Sequence, residues 1–356
     1  MTQQFNPARR RILQGAGMAG LAAFAGALPV GALAQGKQIV VSDPGGPYTG
    51  AYRSAFYDPF EKATGIKVVS VARESQPVAQ FAAMVQTRNY MWDATILTLS
   101  DDIPYLQANN FLEPIGLKAS DYPQLITNAI TPDWLGVDVY ATVLAYRQDK
   151  FAQNGPKSWA DFWDVKRFPG RRCLRRSPID TLEQALLADG VPLDKLYPLD
   201  VDRAFRSLDK IKPHVNIWWT SGAQAMQAIQ SGDVDMISTW NGRAQAARDG
   251  GAPVQIVWNE GLYSVEGWGI PKGTPRADMA KQFVRFCADA HRQAILTRTL
   301  AYGPTNRDAF ASIPAARANI LPTAPGNLRD MRLPSPQWWQ TNRQKVTERF
   351  NTWIIS

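Results

Sequence analysis

The sequence predicts an α/β protein built from two lobes. Apolar strand patterns alternate along it with amphipathic helix patterns, which favours parallel strands joined by crossover helices. The chain has 356 residues, more than a single hydrophobic core usually organises, and this favours two lobes. Pro and Gly are spread through the intervening loops, and the sequence contains no tandem repeat or low-complexity segment.

The first elements follow the strand–helix order directly. The run KQIVVS ends near Ser42 in a turn-rich DPGGPY and predicts the first strand. A helix is expected over 48–64, and Gly65 ends it because glycine readily adopts the left-handed conformation of a helix terminus. Alternation over 66–72, helical spacing over 78–87 and a buried apolar run over 93–99 predict strand, helix and strand.

A second alternating region begins near Ser158. The run SWADFW predicts a helix start, the Pro169-Gly170 turn follows, and a further strand and helix come next. This alternation continues to a strand at 254–258. The stretch 277–297 carries apolar side chains on one face and predicts a long amphipathic helix packed on the core.

The amino terminus predicts an export signal over residues 1–34. Three arginines, Arg9 to Arg11, precede an apolar run rich in Gly and Ala, which ends in Ala32-Leu33-Ala34. This order is typical of a signal that is removed after Ala34. The arginine pair ahead of Ile-Leu matches the twin-arginine type of signal. A membrane anchor is the alternative, but Gly15, Gly17, Gly20, Gly26 and Pro29 suit a spanning helix poorly.

The charge distribution argues against nucleic acid as a partner. The formal net charge is +8, and residues 1–34 supply three of the positive charges and no acid. The arginine cluster at 171–176 has no interleaved aromatic residues such as a base-stacking surface would need. After the signal, no segment offers the roughly 20 apolar residues of a membrane helix, so a soluble protein is expected.

Few residues offer catalytic or metal chemistry. Cys173 and Cys287 could pair in an oxidising compartment, but we predict two buried thiols. His214 and His291 have no ligand-spaced neighbours, and phosphate-binding glycine loops and a nucleophile turn are absent from the sequence. We therefore expect no catalytic residue, no metal and no cofactor. A periplasmic enzyme exported by the twin-arginine route stays the alternative from another class.

Several stretches of the sequence resemble the periplasmic spermidine/putrescine-type solute-binding proteins of ABC transporters. They are PFEKATGIKV from Pro59, SWADFW, the run from STWNGRAQ to WNEG followed by YSVEGWGIPKG, and TLAYGPTN from Thr299. The combination of Trp240-Asn241-Gly242 with Ile270-Pro271 is the most specific part. Together these stretches cover nearly all of the chain after residue 34.

The resemblance implies a type II periplasmic binding protein fold. Two α/β lobes would be joined by crossing segments near 139–147 and 262–270, with the ligand held in the cleft between them. The N-terminal lobe would consist of residues 35–143 and 267–310. The C-terminal lobe would consist of residues 144–266 and 311–356.

The resemblance also implies which residues bind the ligand. Trp240 would stack on it, Glu266 would be the cleft acid, and Tyr302 and Gln340 would contribute from later segments. Loops at strand ends are expected to add further residues, because such loops converge where two lobes meet. The complete predicted set is Asp43, Tyr48, Ser100, Asp101, Asp102, Arg176, Ser177, Trp240, Asn241, Glu266, Tyr302 and Gln340.

Two departures from the family pattern bear on the ligand. Ser264 stands where a tryptophan is expected, and the second-lobe loop that usually offers an aspartate contains Arg176. A cation at that place would repel a second ammonium group, which favours a solute with both an amine and an acid group, such as an opine, an amino acid or an aminophosphonate. A polyamine stays the alternative ligand. We expect a periplasmic monomer that delivers its solute to an inner-membrane permease and ATPase.

Overall fold

The computed structural model describes residues 37–73 and 77–356, so the predicted export signal lies outside the described residues. Among them, no helix is both long and apolar enough to cross a membrane. The eleven strands of this part are β1 Gln38–Asp43, β2 Lys67–Ala72, β3 Ala94–Thr98, β4 Ile130–Thr131, β5 Trp134–Arg147, β6 Arg172–Arg175, β7 Val215–Trp219, β8 Met236–Trp240, β9 Val254–Gly269, β10 Gly303–Pro304 and β11 Met331–Arg332.

Helices separate most of these strands. The α-helices are α1 Pro47–Tyr52, α2 Asp58–Thr64, α3 Val78–Thr87, α4 Ile103–Ala108, α5 Gln148–Phe151, α6 Trp159–Trp163, α7 Pro178–Ala188, α8 Val201–Ile211, α9 Gly222–Ser231, α10 Asn241–Asp249, α11 Ala277–Phe286, α12 Ala290–Thr299, α13 Ala315–Ala318, α14 Pro325–Arg329 and α15 Pro336–Ile355. A π-helical turn, Arg53–Tyr57, joins α1 to α2, and short 3₁₀ turns occur at Ala119–Asp121, Ala152–Asn154, Leu193–Lys195, Lys212–His214 and Arg307–Ser312.

The strands form a mixed sheet in the order β2-β1-β3-β9-β5-β8-β6-β7. As predicted, β1 runs parallel to both β2 and β3, and β6 runs parallel to β7 and β8. The central pair β5 and β9 is antiparallel. Two parallel groups of strands therefore flank one long antiparallel pair.

The predicted elements agree with the structure to within a few residues, with one correction. The single helix expected over 277–297 is two helices, because α11 ends before Cys287 and α12 begins after Asp289. The Asp289 side chain accepts a hydrogen bond from the backbone amide of Arg292, which caps the start of α12. The helix expected over 48–64 is confirmed, and Gly65 ends it in the left-handed conformation, with φ of 71°.

The two long strands coincide with the predicted crossings at 139–147 and 262–270. They pass close to each other at Gly136 and Gly267, which are register partners. A Cβ atom on Gly267 would lie 2.1 Å from the carbonyl oxygen of Leu135, so only glycine fits there. The register shifts just beyond this point, between Gly136 and Asp138.

Buried apolar side chains separate into clusters on either side of these crossings. Val139 and Val265 pack in a cluster with β1, β3 and α11, whereas Leu144 and Leu262 pack in a second cluster with α7, α8 and α15. A third cluster, which includes Ala141, surrounds α9 and α10. The cores therefore divide within the long strands. The exact bounds of the two lobes stay a prediction.

Both cysteines are buried free thiols, as predicted. Cys173 lies within β6 and Cys287 lies at the carboxyl end of α11, and neither is exposed. Burial raises the pKa of the Cys173 thiol to about 12 and that of Cys287 well above its ordinary value.

Arg172 is a fully buried arginine that holds the loop after α6 in place. Its guanidinium donates to the backbone carbonyl oxygens of Phe162 at 2.8 Å, Gly170 at 2.7 Å and Phe168 at 2.5 Å. The loop carbonyls would otherwise be buried without donors, which costs free energy. The first half of the arginine cluster noted in the sequence is therefore structural.

Replacing Arg172 by methionine is expected to lower the free energy of unfolding by about 3 kcal/mol, because the loop carbonyls lose their donors. Urea denaturation followed by circular dichroism measures the change. Arg171→Met is the matched control, with a smaller expected loss, since the Arg171 side chain is 50% exposed. Equal losses in the two variants would contradict this role of Arg172.

Candidate functional site

A cavity of about 1120 Å³ opens where the carboxyl ends of β3, β6, β7 and β8 converge. Its lining comes from both sides of the long antiparallel pair β5 and β9, which contribute Tyr140 and Glu266. The predicted convergence of strand-end loops therefore coincides with a cavity large enough for a small molecule.

Arg175 forms a cationic wall of this cavity. Its guanidinium carbon lies 5.6 Å from the ring centre of Trp219 and 5.2 Å from that of Trp240. One nitrogen donates to a carboxylate oxygen of Asp180 at 2.9 Å, and the same oxygen accepts from the Thr142 hydroxyl. The two rings and Asp180 fix the direction of the guanidinium, which suits it to planar two-point recognition of an anion.

Arg243 and the amino terminus of α9 lie near Trp240 in the same lining, and the guanidinium carbon of Arg243 also lies 5.8 Å from the ring centre of Tyr48. A Cβ atom at Gly222 would lie 2.7 Å from Nε of Arg243 and 2.9 Å from the Trp240 ring, so glycine there lets both side chains approach. Gly222 and Ala223, which begin α9, line the cavity. First-turn amides of a helix favour anions, as does the helix dipole.

Glu266 and its neighbouring acids form an acidic part of the lining, named here the acidic wall. Only 7% of the residue is exposed, and Nη2 of Arg73 lies 3.9 Å from its Oε1 atom. Its register partner across the long strands is the fully buried Asp138, whose carboxylate accepts a hydrogen bond from the Tyr52 hydroxyl. Burial raises the pKa of Glu266 to about 7, partly offset by Arg73, and raises the pKa of Asp138 well above its ordinary value.

Asp101 and Asp102 extend the acidic wall from the end of β3. Asp102 accepts a hydrogen bond from the Thr98 amide at 2.8 Å, and burial together with the charge of Asp101 raises its pKa to about 6. Asp101 accepts from Nη2 of Arg343 at 3.0 Å. Two of the three acids on this wall therefore already have arginine neighbours.

A line of aromatic rings runs from Tyr48 to Trp240 in the lining. The ring centres of Tyr48 and Tyr302 lie 5.6 Å apart, those of Tyr302 and Tyr140 lie 5.8 Å apart, and those of Tyr140 and Trp240 lie 6.0 Å apart. The hydroxyls of Tyr48 and Tyr302 share a hydrogen bond. A Cβ atom on Gly242 would lie 2.5 Å from the Tyr302 ring. The glycine of the Trp-Asn-Gly motif therefore leaves space for this ring.

Three buried polar atoms of lining residues have no hydrogen-bond partner among the described residues. They are Oγ of Ser100, Nε1 of Trp240 and Nε of Arg243. A buried polar atom without a partner costs free energy, so each of these atoms is suited to a hydrogen bond with a bound molecule.

Ten of the twelve residues predicted for the site line this cavity. They are Tyr48, Ser100, Asp101, Asp102, Arg176, Ser177, Trp240, Glu266, Tyr302 and Gln340. The other two do not line it and bond to the protein itself. Asp43 accepts from Tyr57, Thr49 and the Gly45 amide, and Asn241 bridges the backbones of Ala141 and Ala301.

Sequence reasoning missed several lining residues. The sequence predicts Arg176, which is exposed at the cavity rim, and does not predict Arg175, which lies between the two tryptophans. Trp219 ends a strand pattern, VNIWW, directly before a capped helix, so the strand-end rule applied there would have found it. Tyr140 and Arg243 carry no comparable signal in the sequence.

The chain belongs to the bacterial extracellular solute-binding protein family, whose family model matches residues 55–323. Members of this family bind small-molecule solutes and work with the permease and ATPase of an ABC transporter. The chain is thus the solute-binding component of such a transporter.

Three individual proteins are similar to this chain over most of its length. The gamma-aminobutyric acid-binding protein of Pseudomonas aeruginosa is 34% identical over 94% of this chain and 95% of its own length. An ABC transporter substrate-binding protein from Bradyrhizobium japonicum is 37% identical, with a TM-score of 0.83 over 89% of this chain and 99% of its own. The Agrobacterium tumefaciens protein AgtB, solved with agropinic acid, is 33% identical, with a TM-score of 0.77 over 90% and 99%.

The spermidine/putrescine-type resemblance is confirmed at a greater distance. The spermidine/putrescine-binding periplasmic protein of Escherichia coli is 21% identical over 78% of this chain and 83% of its own length. The predicted α/β periplasmic binding protein fold is confirmed as well.

Proposed function

We propose that this protein captures a small solute that carries both an ammonium and a carboxylate group. The observation that carries the proposal is the presence of both charges in one cavity. The arginines Arg175 and Arg243 and the acid Glu266 all line it, together with the aromatic rings. A dipolar solute satisfies both walls, whereas a diamine or a simple acid satisfies one.

Of the two arginines on the cationic wall, Arg243 is the less matched in charge. Arg175 pairs with Asp180, but no acidic side chain among the described residues forms an ion pair with Arg243. A carboxylate that accepts from Arg175, Arg243 and the first amides of α9 would gain charge-assisted hydrogen bonds. The names of the relatives agree with this chemistry, since one binds gamma-aminobutyric acid and another was solved with agropinic acid.

The ammonium end would lie against Glu266, with Asp101 and Asp102 near it. Aromatic rings would cover the carbon chain between the two charged ends, through cation–π and apolar contacts. Closure of two lobes around the solute would then depend on both charges, because a solute without one end leaves a buried charge unpaired.

We expect gamma-aminobutyric acid to bind at least about tenfold more tightly than putrescine or butyrate, because only the dipolar solute satisfies both walls. These three molecules share a four-carbon chain and differ in their end groups, so they are matched probes. Isothermal titration calorimetry on residues 35–356 measures the affinities.

Tight putrescine binding with weak gamma-aminobutyric acid binding would instead favour the polyamine alternative. The same samples test for catalysis, since we propose that the solute leaves unchanged. A new species in the proton NMR spectrum after incubation would favour the enzyme alternative.

We also propose that the protein acts in the periplasm, as a monomer, after a twin-arginine signal over residues 1–34 is removed. The family is extracellular and periplasmic, which supports this compartment. The predicted site residues Arg176, Ser177 and Gln340 would contact the solute from the rim, whereas Arg175 replaces Arg176 as the main anion anchor.

A further inference from the structure

Asp180 is a buried acid beside the cationic wall. The two residues before it, Pro178 and Ile179, line the cavity, whereas Asp180 does not. One oxygen of its carboxylate accepts hydrogen bonds from Arg175 and from the Thr142 hydroxyl of β5, each at 2.9 Å. Only 6% of the residue is exposed. Its negative charge is therefore held next to Arg175 and largely shielded from water.

The backbone of Asp180 adopts an unfavourable conformation. Its φ of 70° and ψ of −42° break the first turn of α7, and a residue with a side chain rarely adopts a positive φ. Such conformations are concentrated at ligand sites, where contacts made by the residue hold them in place. Glycine would accept this backbone more easily, so what Asp180 adds at this position is its carboxylate.

The charges near Arg175 add up to one uncompensated positive charge. Arg175 and Asp180 form an ion pair, so their charges cancel. Arg243 has no acidic ion-pair partner among the described residues, and its buried Nε atom has no hydrogen-bond partner there. Arg176 also lines the cavity, but it is exposed at the rim, where water solvates its charge. One negative charge on the solute therefore completes the balance.

The other charges of the lining do not add to this positive charge. Nη2 of Arg73 lies 3.9 Å from Glu266, and Nη2 of Arg343 lies 3.0 Å from Asp101. Each of these arginines is therefore matched by an acid of the acidic wall. The third acid of this wall, Asp102, adds a negative charge, which would repel an anion.

We propose that Asp180 is a specificity-determining residue that limits the acid group of the solute to a single negative charge. The first charge would pair with Arg175 and Arg243. A second charge on the same group would find these cations already neutralised, by Asp180 and by the first charge, and would be buried without a partner. Carboxylates and sulfonates carry one negative charge, whereas phosphonates and phosphate monoesters carry two above neutral pH. This inference rests on the proposed function and excludes doubly charged acid groups from its solutes.

Two probes separate charge from shape. The compounds 3-aminopropanesulfonate and 3-aminopropylphosphonate share an ammonium group, a three-carbon chain and a tetrahedral acid group with three oxygens. At pH 8.5 the sulfonate carries one negative charge and the phosphonate carries two. We expect the wild-type protein to bind the sulfonate at least about tenfold more tightly in calorimetry, because the second charge of the phosphonate has no partner.

The variant Asp180→Asn removes the negative charge and keeps an oxygen that can accept from Arg175 and Thr142. Asparagine also tolerates a positive φ better than most residues. We expect the preference for the sulfonate over the phosphonate to fall by about tenfold or more, because two uncompensated positive charges then face the acid group. Asp180→Gly suits the same backbone and removes the same charge, so it should shift the preference in the same direction.

Asp235→Asn is the matched control. Asp235 is also buried and also pairs with an arginine, Arg171 at 3.0 Å, but neither residue lines the cavity. This variant should leave the ratio of the two affinities unchanged. Thermal unfolding checks that the three variants fold, and the wild-type ratio tests the inference without any variant.

The outcomes separate this inference from the proposed function. If gamma-aminobutyric acid binds, a wild-type affinity for the phosphonate equal to or above that for the sulfonate overturns the role of Asp180 alone. A ratio that Asp180→Asn and Asp180→Gly leave unchanged does the same. If gamma-aminobutyric acid binds and neither tetrahedral probe does, size excludes them instead of charge, which also overturns this role. Failure of all three molecules to bind overturns the proposed function itself.

Discussion

Replacing Arg175 by methionine is expected to weaken binding of gamma-aminobutyric acid at least about a hundredfold, because a desolvated carboxylate loses its main partner. The buried Asp180 would also lose its arginine and repel the same carboxylate. Calorimetry of the variant and the wild-type protein measures the change. Thermal unfolding shows whether the variant is folded.

Two further variants test whether the lost affinity is due to the guanidinium of Arg175. Arg175→Lys keeps the charge but loses the planar fork that fits a carboxylate, so most of the affinity should still be lost. Arg176→Met removes a neighbouring arginine whose exposed charge is already solvated, and its loss should be at least about tenfold smaller. A larger loss from Arg176→Met than from Arg175→Met would show that Arg176 is the anchor after all.

Replacing Glu266 by glutamine is expected to weaken binding of the same solute by at least about tenfold. The variant keeps the size of the side chain but removes the negative charge that would face the ammonium group. Butyrate, which has no ammonium group, should bind the variant as well as it binds the wild-type protein. An equal loss for both molecules would indicate a structural role for Glu266.

Because the pKa of Glu266 is raised, the affinity for the solute is expected to fall as the pH falls. The ammonium group binds the ionised carboxylate, so protonation below a pKa of about 7 competes with the solute. The wild-type affinity at pH 5.5 should therefore be at least about tenfold lower than at pH 8. Asp102, with a pKa of about 6, acts in the same direction, so Glu266→Gln should flatten the curve without abolishing it. An unchanged wild-type affinity between these pH values would contradict the assignment.

The order of strands and helices could be predicted from the sequence because local sequence patterns determine it. The helix over 78–87 and the strands at 38–43 and 94–98 agree closely because apolar periodicity and flanking turns set them. The break between α11 and α12 was missed because the apolar pattern continues through it. Only the capping aspartate, Asp289, marks the second start.

The site was harder to predict where a strand is buried on both faces. In β6 the residues Arg172 to Leu174 are all buried, so no alternation indicates which arginine points into the cavity. Asp43 was predicted to bind the ligand because it lies at a strand end. Its tertiary contacts give it a different role. Its carboxylate is instead occupied by Tyr57, Thr49 and Gly45, which no sequence pattern specifies.

The two buried thiols make this chain suitable for conversion into an optical sensor. Cys173 and Cys287 are inaccessible, and burial disfavours the thiolate that maleimide dyes require. Neither native cysteine should therefore need to be removed before labelling. A single new cysteine on an exposed residue of α15, such as Gln344, would then take up an environment-sensitive dye beside the opening of the cavity. Solute uptake could be read as a change in fluorescence from one defined position.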